Sequence, residues 1–296
     1  MRWETATSDS NRTEDASRRR VWFVTGASSG LGRALAEAVL ERGDRLVATA
    51  RDTRAISDLA GENPERTLAL ELDVTDHDQV QEVVEEAVAA FGRIDVVVNN
   101  AGYGLFGALE EFSEEDLRRQ FETNVFGVLN VTRAALPHLR RQRSGHIVQM
   151  SSLSGVVPMG AGEGAYAATK FAVEGLSEPL AKEVAHLGVR VTIVEPGPFR
   201  TGFAGRSPVT EAVEIEDYAA SVGEALEWFQ RLDGTQPGDP TRAARAIIEA
   251  VMAEKPPLHL PLGEVAFGAI RQKLDERRRE LEAWEPLGAR TDFASV

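Results

Sequence analysis

The 296-residue sequence contains no cysteine, which excludes disulfides, thiolate metal sites and a cysteine nucleophile. No stretch approaches the roughly 18 consecutive apolar residues of a transmembrane helix, so we expect no membrane span. Basic residues are also scarce: 33 Lys and Arg stand against 47 Asp and Glu, and the formal net charge is −14. A chain this acidic repels nucleic-acid phosphates and anionic lipid headgroups, so we expect neither nucleic acid nor a membrane as a partner.

Metal-ligand spacing and export signals are missing as well. The five histidines show no spacing typical of metal ligands, and we predict no metal site. Arg18, Arg19 and Arg20 loosely resemble a twin-arginine export signal, but only four apolar residues follow before Thr25 and Gly26. An export signal needs an apolar run of roughly 7–15 residues. We therefore expect a cytoplasmic protein.

The chain is organised as short apolar runs that alternate with segments of helical periodicity. Residues 1–20 are polar and charged and predict a disordered tail. From residue 21 onward the alternation predicts an α/β fold: one doubly wound, Rossmann-type domain over 21–296, with a parallel sheet of about seven strands flanked by helices. The strands are predicted at 21–26, 45–50, 67–74, 94–102, 146–152, 189–197 and 258–262. Helices are predicted at about 31–43, 80–92, 113–141, 164–187 and 242–253.

Two segments depart from this alternation. Residues 198–240 are rich in glycine, proline, threonine and acid, and they predict a lid over the substrate that becomes ordered on ligand binding. The apolar residues of this lid indicate an apolar or ring-bearing substrate; they are Phe199, Phe203, Val209, Tyr218, Trp228 and Phe229. Residues 263–296 carry apolar residues at helical spacing among many charges and predict a C-terminal helical extension.

A glycine-rich turn follows the first predicted strand and opens the first helix. Backbone amides of such a turn and of a helix N-terminus attract a pyrophosphate, and glycine lets the ligand approach closely. The spacing is G-x₃-G-x-G, which differs from the more familiar G-x-G-x-x-G pattern. The turn predicts a dinucleotide site formed by Gly26, Ser28, Ser29, Gly30, Leu31 and Gly32.

Tyr166 and Lys170 lie four residues apart on a predicted helix. Their side chains therefore leave the same helix face, with Cβ atoms about 5–6 Å apart. Taken alone, the pair is compatible with a core tyrosine beside a lysine that reaches past it to solvent. The surrounding motifs favour a catalytic pair instead.

Six motifs occur in a fixed order: TGASSGLG (25–32), NNAG (99–102), Asn124 in NVFG, Ser152 in SSLSG, Tyr166 with Lys170, and PGPFRT (196–201). In this the chain resembles the short-chain dehydrogenase/reductase family, in its compact single-domain branch, over about residues 21–262. The segments VWFVTGASSGLG and LVATARD are most similar to hydroxysteroid and retinol dehydrogenases. The resemblance implies an oxidoreductase that interconverts a small-molecule carbonyl and an alcohol.

The resemblance also implies the catalytic roles. Tyr166 is the general acid in reduction and the general base in oxidation, and Lys170 lowers the tyrosine pKa and holds the nicotinamide ribose. Asn124 holds a water that passes protons on through Lys170. Ser152 donates to the substrate oxygen, although it precedes Tyr166 by one residue more than is usual in the family. Ser151 and Ser154 stay open as alternatives to Ser152.

Further cofactor positions follow from the same resemblance. Asp73 and Val74 are expected beside the adenine, although Asp73 could also cap a helix. Asn100 and Ala101 are expected to border the adenosine ribose. Pro196, Gly197 and Thr201 are expected to flank the nicotinamide carboxamide.

The end of the second strand predicts the choice of cofactor. NAD-preferring folds place an acid there, which bonds the ribose hydroxyls and repels a 2′-phosphate. Here Ala50 occupies that position and Arg51 follows, and a guanidinium can pair with the phosphate. We therefore predict NADP rather than NAD. The alternatives are a shifted register in which Asp52 is the ribose acid, or Arg51 as a solvated loop charge.

Two other functions remain open on the sequence. A nucleotide-sensing regulator could keep the fold without catalysis, although such proteins typically lack the tyrosine or lysine. An enzyme of the same fold could instead catalyse dehydration or epimerisation, usually with insertions that this chain lacks. Family members mostly associate through the helices before and after the Asn124 junction, so we expect a homodimer or homotetramer.

Overall fold

A computed structural model describes residues 19–203 and 215–293. The predicted polar tail, apart from Arg19 and Arg20, lies outside the described residues, and so does Val209 of the predicted lid. No helix in the described ranges has both the length and the apolar composition needed to cross a bilayer.

The core of the fold is a sheet of seven parallel strands in the order β3-β2-β1-β4-β5-β6-β7. The strands are Val21–Val24 (β1), Arg45–Ala50 (β2), Thr67–Glu71 (β3), Val96–Asn99 (β4), Gly145–Met150 (β5), Val189–Pro196 (β6) and His259–Leu262 (β7). The chain order reverses between β1 and β4, so the sheet is doubly wound as predicted. Ligands of such sheets bind where the order reverses, beyond the carboxyl ends of the strands.

Helices cover both faces of the sheet. They are Gly30–Glu41 (α1), Ser57–Glu62 (α2), His77–Phe91 (α3), Glu114–Phe121 (α4), Gly127–Gln142 (α5), Gly164–Val184 (α6), Glu224–Arg231 (α7), Pro240–Met252 (α8) and Glu264–Gly288 (α9). A π-helical turn, Glu122–Phe126, joins α4 to α5 where the sequence predicts one continuous helix. The sequence did not predict α2 or α7, because both are short and flanked by glycine, proline and acid.

Strand alternation divides the core into two layers. All four β1 residues are fully buried, as expected for a strand covered on both faces. Trp22 and Val24 belong to the cluster that α1 and α8 complete, whereas Val21 and Phe23 belong to the cluster with α3 and α5. The sheet is therefore held from both sides, and its carboxyl edge is a fixed platform for the loops that follow each strand.

Several strands end earlier than predicted. β3 ends at Glu71 rather than residue 74, β4 at Asn99 rather than 102, and β5 at Met150 rather than 152. The residues beyond these ends, such as Asp73 and Ser152, lie outside the strands and in the loops that follow them. They form the rim of the cavity described below.

The C-terminal extension forms the helix α9, as predicted. It contacts β7, and among its described residues only Ala266 is buried. Leu274, Leu281 and Trp284 are 63%, 71% and 66% exposed. The apolar spacing of the sequence therefore corresponds to a helix face that residues 19–203 and 215–293 leave exposed.

Candidate active site

The loops at the carboxyl edge of the sheet surround one cavity of about 1790 Å³. Most residues that the sequence predicted for the site line it, namely Gly26, Ser28, Ser29, Gly30, Leu31, Arg51, Asp73, Val74, Asn100, Ala101, Ser152, Tyr166, Lys170, Pro196, Gly197 and Thr201. Gly32 and Asn124 do not line the cavity and lie behind the residues that do. Residues distant in the sequence are therefore brought to one place, and two of the predicted residues support the site from behind.

The glycine turn has the features of a phosphate cradle. The N-cap residue Ser29 makes no side-chain cap, and the first turn of α1 holds no acid, so the helix start can face an anion. Gly26 has φ +64°, and a Cβ there would lie 2.9 Å from Ala101 Cα. A Cβ on Gly32 would lie 2.2 Å from Asn100 Nδ2. The turn therefore requires glycine for close packing, and its residues fit a dinucleotide pyrophosphate.

The loop after β4 is fastened to this turn. Asn100 Nδ2 donates to the carbonyl oxygens of Thr25 (2.9 Å) and Gly26 (3.0 Å). The Thr25 hydroxyl in turn accepts from the backbone N–H groups of Asn100 and Ala101. Asn100 thus shapes the cradle, and its side-chain N–H groups are directed to protein oxygens.

Asp73 lies in the loop after β3 and does not cap the next helix. Its Oδ1 accepts from the Thr75 N–H (2.9 Å) and hydroxyl (2.7 Å). The cap of α3 is Asp76, which accepts from the N–H groups of Asp78 and Gln79. The capping alternative for Asp73 is therefore wrong, and Asp73 lines the cavity beside Val74.

Arg51 and Asp52 differ in their surroundings. Arg51 is exposed, lines the cavity, and makes no hydrogen bond or ion pair with any described residue. The Asp52 carboxylate accepts from Arg54 Nη2 (2.8 Å) and from the Arg54 backbone N–H (3.0 Å). The Arg54 guanidinium holds the pKa of Asp52 below its usual range. The guanidinium of Arg51 is therefore available to a ligand, whereas Asp52 is engaged within its own turn.

The predicted carboxamide segment closes the opposite side of the cavity. The Gly197 N–H donates to the Leu262 carbonyl (3.0 Å), which ties the end of β6 to β7. A Cβ on Gly30 would meet Thr201 at 3.7 Å and nothing nearer among the described residues. Thr201 thus faces the glycine turn across the cavity.

Tyr166 and Lys170 are both buried on the cavity face of α6. Lys170 Nζ lies 5.7 Å from the centre of the tyrosine ring and donates to the Met150 carbonyl (2.8 Å). Burial raises the pKa of Tyr166 to about 12, while the Ser152 hydroxyl acts in the opposite direction. Burial also lowers the pKa of Lys170 to about 8. The expected lowering of the tyrosine pKa by lysine is not seen, because removal of the phenol from water outweighs it.

Of the three candidate serines, Ser152 is the one whose hydroxyl acts on Tyr166. Its hydroxyl accepts from the Ser154 N–H (3.1 Å) and acts on the pKa of Tyr166. The Ser154 hydroxyl donates to Glu163 Oε2 (2.8 Å). Ser151 also lines the cavity, but its residue is buried and its hydroxyl acts on Glu174 of α6. These contacts favour Ser152.

Asn124 is fully buried in the π-helical turn. Its Nδ2 donates to the Tyr103 carbonyl (2.8 Å) and to the Thr169 hydroxyl (3.1 Å), and its Oδ1 accepts from the Tyr103 N–H (3.0 Å). The side chain thus joins the loop after β4 to α6 next to Lys170. Its amide is occupied by protein partners, so the structure gives Asn124 a positioning role.

Aromatic rings cover the tyrosine on the substrate side. Tyr166 lies 5.6 Å from the ring of Phe106 and 5.5 Å from that of Phe203, and Phe106 lies 4.7 Å from Phe229. Phe199 and Trp228 also line the cavity. Tyr218 does not line it, and its hydroxyl donates to Glu110 (2.8 Å). The sequence analysis missed Phe106, although its place in the loop after β4 was a usable signal.

Two further groups were missed. Glu163 lines the cavity three residues before Tyr166, a helical spacing that could have revealed it. Behind α6, His259 Nδ1 lies 2.9 Å from Glu195 Oε1 and 3.6 Å from Glu174 Oε2. Burial raises the pKa of Glu174 to about 7, and this carboxyl, one turn beyond Lys170, stabilises the lysine ammonium. Only the folded sheet brings this histidine and the two acids together.

Sequence comparison relates the chain to known proteins. A model of the short chain dehydrogenase family matches residues 20–212, well over half the chain. The oxidoreductase BOA17 of Botryotinia fuckeliana is 42% identical over 88% of this chain and 97% of that protein. A 3-ketodihydrosphingosine reductase of Bacteroides thetaiotaomicron is 37% identical over 87% of this chain and 94% of that protein.

Solved structures share the fold. A short-chain dehydrogenase from Streptomyces avermitilis has a TM-score of 0.86 at 47% identity, covering 93% of this chain and 100% of that chain. One from Burkholderia phymatum, in complex with NAD, has a TM-score of 0.79 at 27% identity, covering 88% and 95%. An alcohol dehydrogenase from Thermococcus sibiricus, complexed with 5-hydroxy-NADP, has a TM-score of 0.69 at 27% identity, covering 83% and 96%. Both cofactor types thus occur among the similar structures.

Proposed function

The chain belongs to the short-chain dehydrogenase family, and on this basis we propose that it is an NADP(H)-dependent oxidoreductase that interconverts a carbonyl and a secondary alcohol. The observation that carries the proposal is the hydroxyl-bearing pair Tyr166 and Ser152, lining one cavity with Lys170 and the glycine turn. No described feature of this site favours the alternative function, a nucleotide-sensing regulator without catalytic activity.

The proton chemistry follows from the state of Tyr166. A bound nicotinamide supplies the hydride donor or acceptor. Because burial raises the pKa of Tyr166 to about 12, its phenol is protonated at neutral pH, which is the form that reduction needs. The phenol donates its proton to the developing alkoxide, while the Ser152 hydroxyl donates a hydrogen bond to the same oxygen. The Lys170 ammonium then stabilises the phenolate left behind.

The cofactor would extend across the cavity. The glycine turn would hold the pyrophosphate, Asp73 and Val74 would border the adenine, and Ala101 the adenosine ribose. Thr201, with Pro196 and Gly197, would flank the carboxamide. Lys170 would bond the nicotinamide ribose. We assign the whole of 21–296 to one domain, in which 198–240 acts as the substrate lid.

The substrate half of the cavity favours an apolar ketone or alcohol. Phe106, Phe203 and Phe229 lie around the reacting hydroxyl, and burial against such rings stabilises long apolar or ring-bearing groups. The similarity to a 3-ketodihydrosphingosine reductase favours a long-chain ketone over the steroid or retinoid suggested by the sequence motifs. A panel of ketones of increasing chain length, followed by NADPH absorbance, tests this directly. Absence of turnover with every ketone, together with tight NADPH binding, would instead support the regulator.

We also propose a homo-oligomer in the cytoplasm. Phe126 is an exposed apolar side chain at the Asn124 junction, whose flanking helices family members use for association, and Phe171 and Leu176 are exposed on α6. Light scattering of the purified protein gives its mass in solution. A monomer at micromolar concentration would contradict this part of the proposal.

Arg51→Ala should remove most of the preference for NADPH over NADH. The guanidinium lines the cavity and has no hydrogen-bond or ion-pair partner in the described part of the chain, and one charge-assisted contact to the 2′-phosphate contributes about 1.5–3 kcal/mol, or a preference of roughly 10- to 150-fold. NADH turnover should hardly change. The measurement is kcat/KM with each cofactor.

The matched control is Arg54→Ala. Arg54 lies three residues away, is 90% exposed, and pairs with Asp52 outside the cavity lining. This variant should keep the cofactor preference of the wild type. Equal use of NADH and NADPH by the wild type would contradict the assignment of Arg51.

A further inference from the structure

Glu163 places a carboxylate beside the reacting hydroxyl. It is the N-cap residue of α6 and lies three residues before Tyr166, so the two side chains share a helix face. Its Oε2 accepts from the Ser154 hydroxyl (2.8 Å) and the Met159 N–H (3.3 Å). Its Oε1 accepts no hydrogen bond from any residue in 19–203 or 215–293. One oxygen is thus fixed by the protein while the other is left for a ligand.

The carboxylate of Glu163 forms no ion pair within residues 19–203 and 215–293. Two other acids on the cavity wall are engaged: Glu111 accepts from two backbone N–H groups, and Glu110 accepts from Tyr218. Glu163 makes no ion pair with a described residue, burial raises its pKa, and its charge acts on the pKa of Tyr166. A partly buried, unpaired carboxylate is costly to maintain, and Ser154 and Met159 could be bonded as well by a neutral glutamine.

We propose that Glu163 binds an ammonium group that the substrate carries next to its carbonyl. This inference rests on the proposed reduction at Tyr166 and names its substrate class: amino ketones and amino alcohols with an apolar tail. Glu163 and Tyr166 line the same cavity about one helical turn apart, so a substrate with its carbonyl at Tyr166 can present a nearby ammonium group to Glu163. A cation there also offsets the effect of the Glu163 charge on the phenol.

The test uses pairs of ketones that have the same chain length and differ only in an amino group beside the carbonyl. The wild type should favour the amino ketone in kcat/KM, and Glu163→Gln should lower the amino-to-plain ratio by roughly 10- to 150-fold, the value of one charge-assisted bond. Glu110→Gln, which alters another acid on the same wall, should keep the ratio. Turnover of plain ketones without any amino preference would overturn this inference alone, whereas no turnover of either ketone would overturn the proposed function.

A separate observation concerns α9, which is 25 residues long, or about 37 Å. Phe267, Leu274 and Leu281 are seven residues apart, and Trp284 continues the same stripe; all four are exposed. An apolar repeat of seven residues is the spacing with which helices pair. No described residue of the same chain buries this stripe, because Ala266, the only buried residue among those described in α9, is not part of it.

The charged residues of α9 indicate what covers this apolar stripe. Arg277, Arg278 and Arg279 lie at the helix centre, and parallel pairing with a second α9 would stack these cations on themselves. Antiparallel pairing centred on Arg279 instead sets Lys273 opposite Glu285 and Arg278 opposite Glu280. Of the three arginines only Arg279 then meets its own copy, and the one opposed pair of acids is Glu276 with Glu282. The same register sets Leu274 opposite Trp284. We infer that α9 pairs antiparallel with α9 of a second copy of this chain.

Because the chain has no cysteine, a single introduced thiol tests the register. Leu274→Cys mixed with Trp284→Cys should give a disulfide dimer on mild oxidation, whereas each variant alone should give little. Cross-linking of each variant alone, equal to that of the mixture, would show parallel pairing and overturn the inference. So would a mixture that does not cross-link although light scattering shows the wild-type mass.

Discussion

Tyr166→Phe should lower turnover by roughly 10²–10⁴-fold and leave cofactor affinity close to that of the wild type. The substitution keeps the ring and removes only the hydroxyl that donates the proton. The ring packs against Phe106 and Phe203 at 5.6 Å and 5.5 Å, so the fold and the substrate wall should persist. Turnover by NADPH absorbance and cofactor binding by fluorescence titration separate the two effects.

The chain offers a matched control in Tyr218→Phe. Tyr218 does not line the cavity, its hydroxyl donates to Glu110 at the cavity wall, and its loss should leave turnover within a small factor of the wild type. Near-normal turnover of Tyr166→Phe would contradict the proton-transfer role. Equal losses in both variants would point to a general effect of losing a tyrosine hydroxyl.

Lys170→Met should reduce turnover and cofactor affinity together. The methionine keeps most of the buried volume but removes the ammonium, which we propose to stabilise the phenolate and to hold the nicotinamide ribose. Loss of one charge-assisted bond should weaken cofactor binding by roughly 10- to 150-fold, and turnover should fall by roughly 10²–10³-fold. Lys182→Met, on an exposed turn of the same helix, is the control that should change neither.

The pH dependence distinguishes charge from packing. Burial lowers the pKa of Lys170 to about 8, so the ammonium predominates below that pH and is lost as the pH rises through it. Wild-type cofactor affinity should therefore weaken above about pH 8, and Lys170→Met should not show this change. A wild-type affinity that is constant from pH 7 to pH 9 would argue against the ribose contact.

Local sequence signals predicted the fold well because they report directly on backbone and burial. The second strand was predicted at the bounds that β2 has, and α3 ends at Phe91 with Gly92, at φ 79°, as its C-cap. The same signals placed the glycine turn before α1. What they could not give is where strands stop, since Ser152 and Asp73 leave the sheet through contacts made by neighbouring loops.

The site residues that the sequence missed depend on contacts between distant segments. His259 meets Glu195 and Glu174 only because β6, β7 and α6 are adjacent in the folded sheet. The expected lowering of the Tyr166 pKa was likewise based on the four-residue spacing to Lys170, which carries no information on burial. Removal of the phenol from water instead raises the pKa of Tyr166.

The central claim is that Tyr166 protonates a substrate carbonyl reduced at this cavity. The most direct measurement supplies the protein with NADPH deuterated at the transferred position and a long-chain ketone, and analyses the product by mass spectrometry. The account predicts an alcohol with deuterium on the carbinol carbon, formed at least roughly 10²-fold more slowly by Tyr166→Phe. NADPH that binds without transferring deuterium to any ketone, or equal transfer by the two proteins, would contradict it.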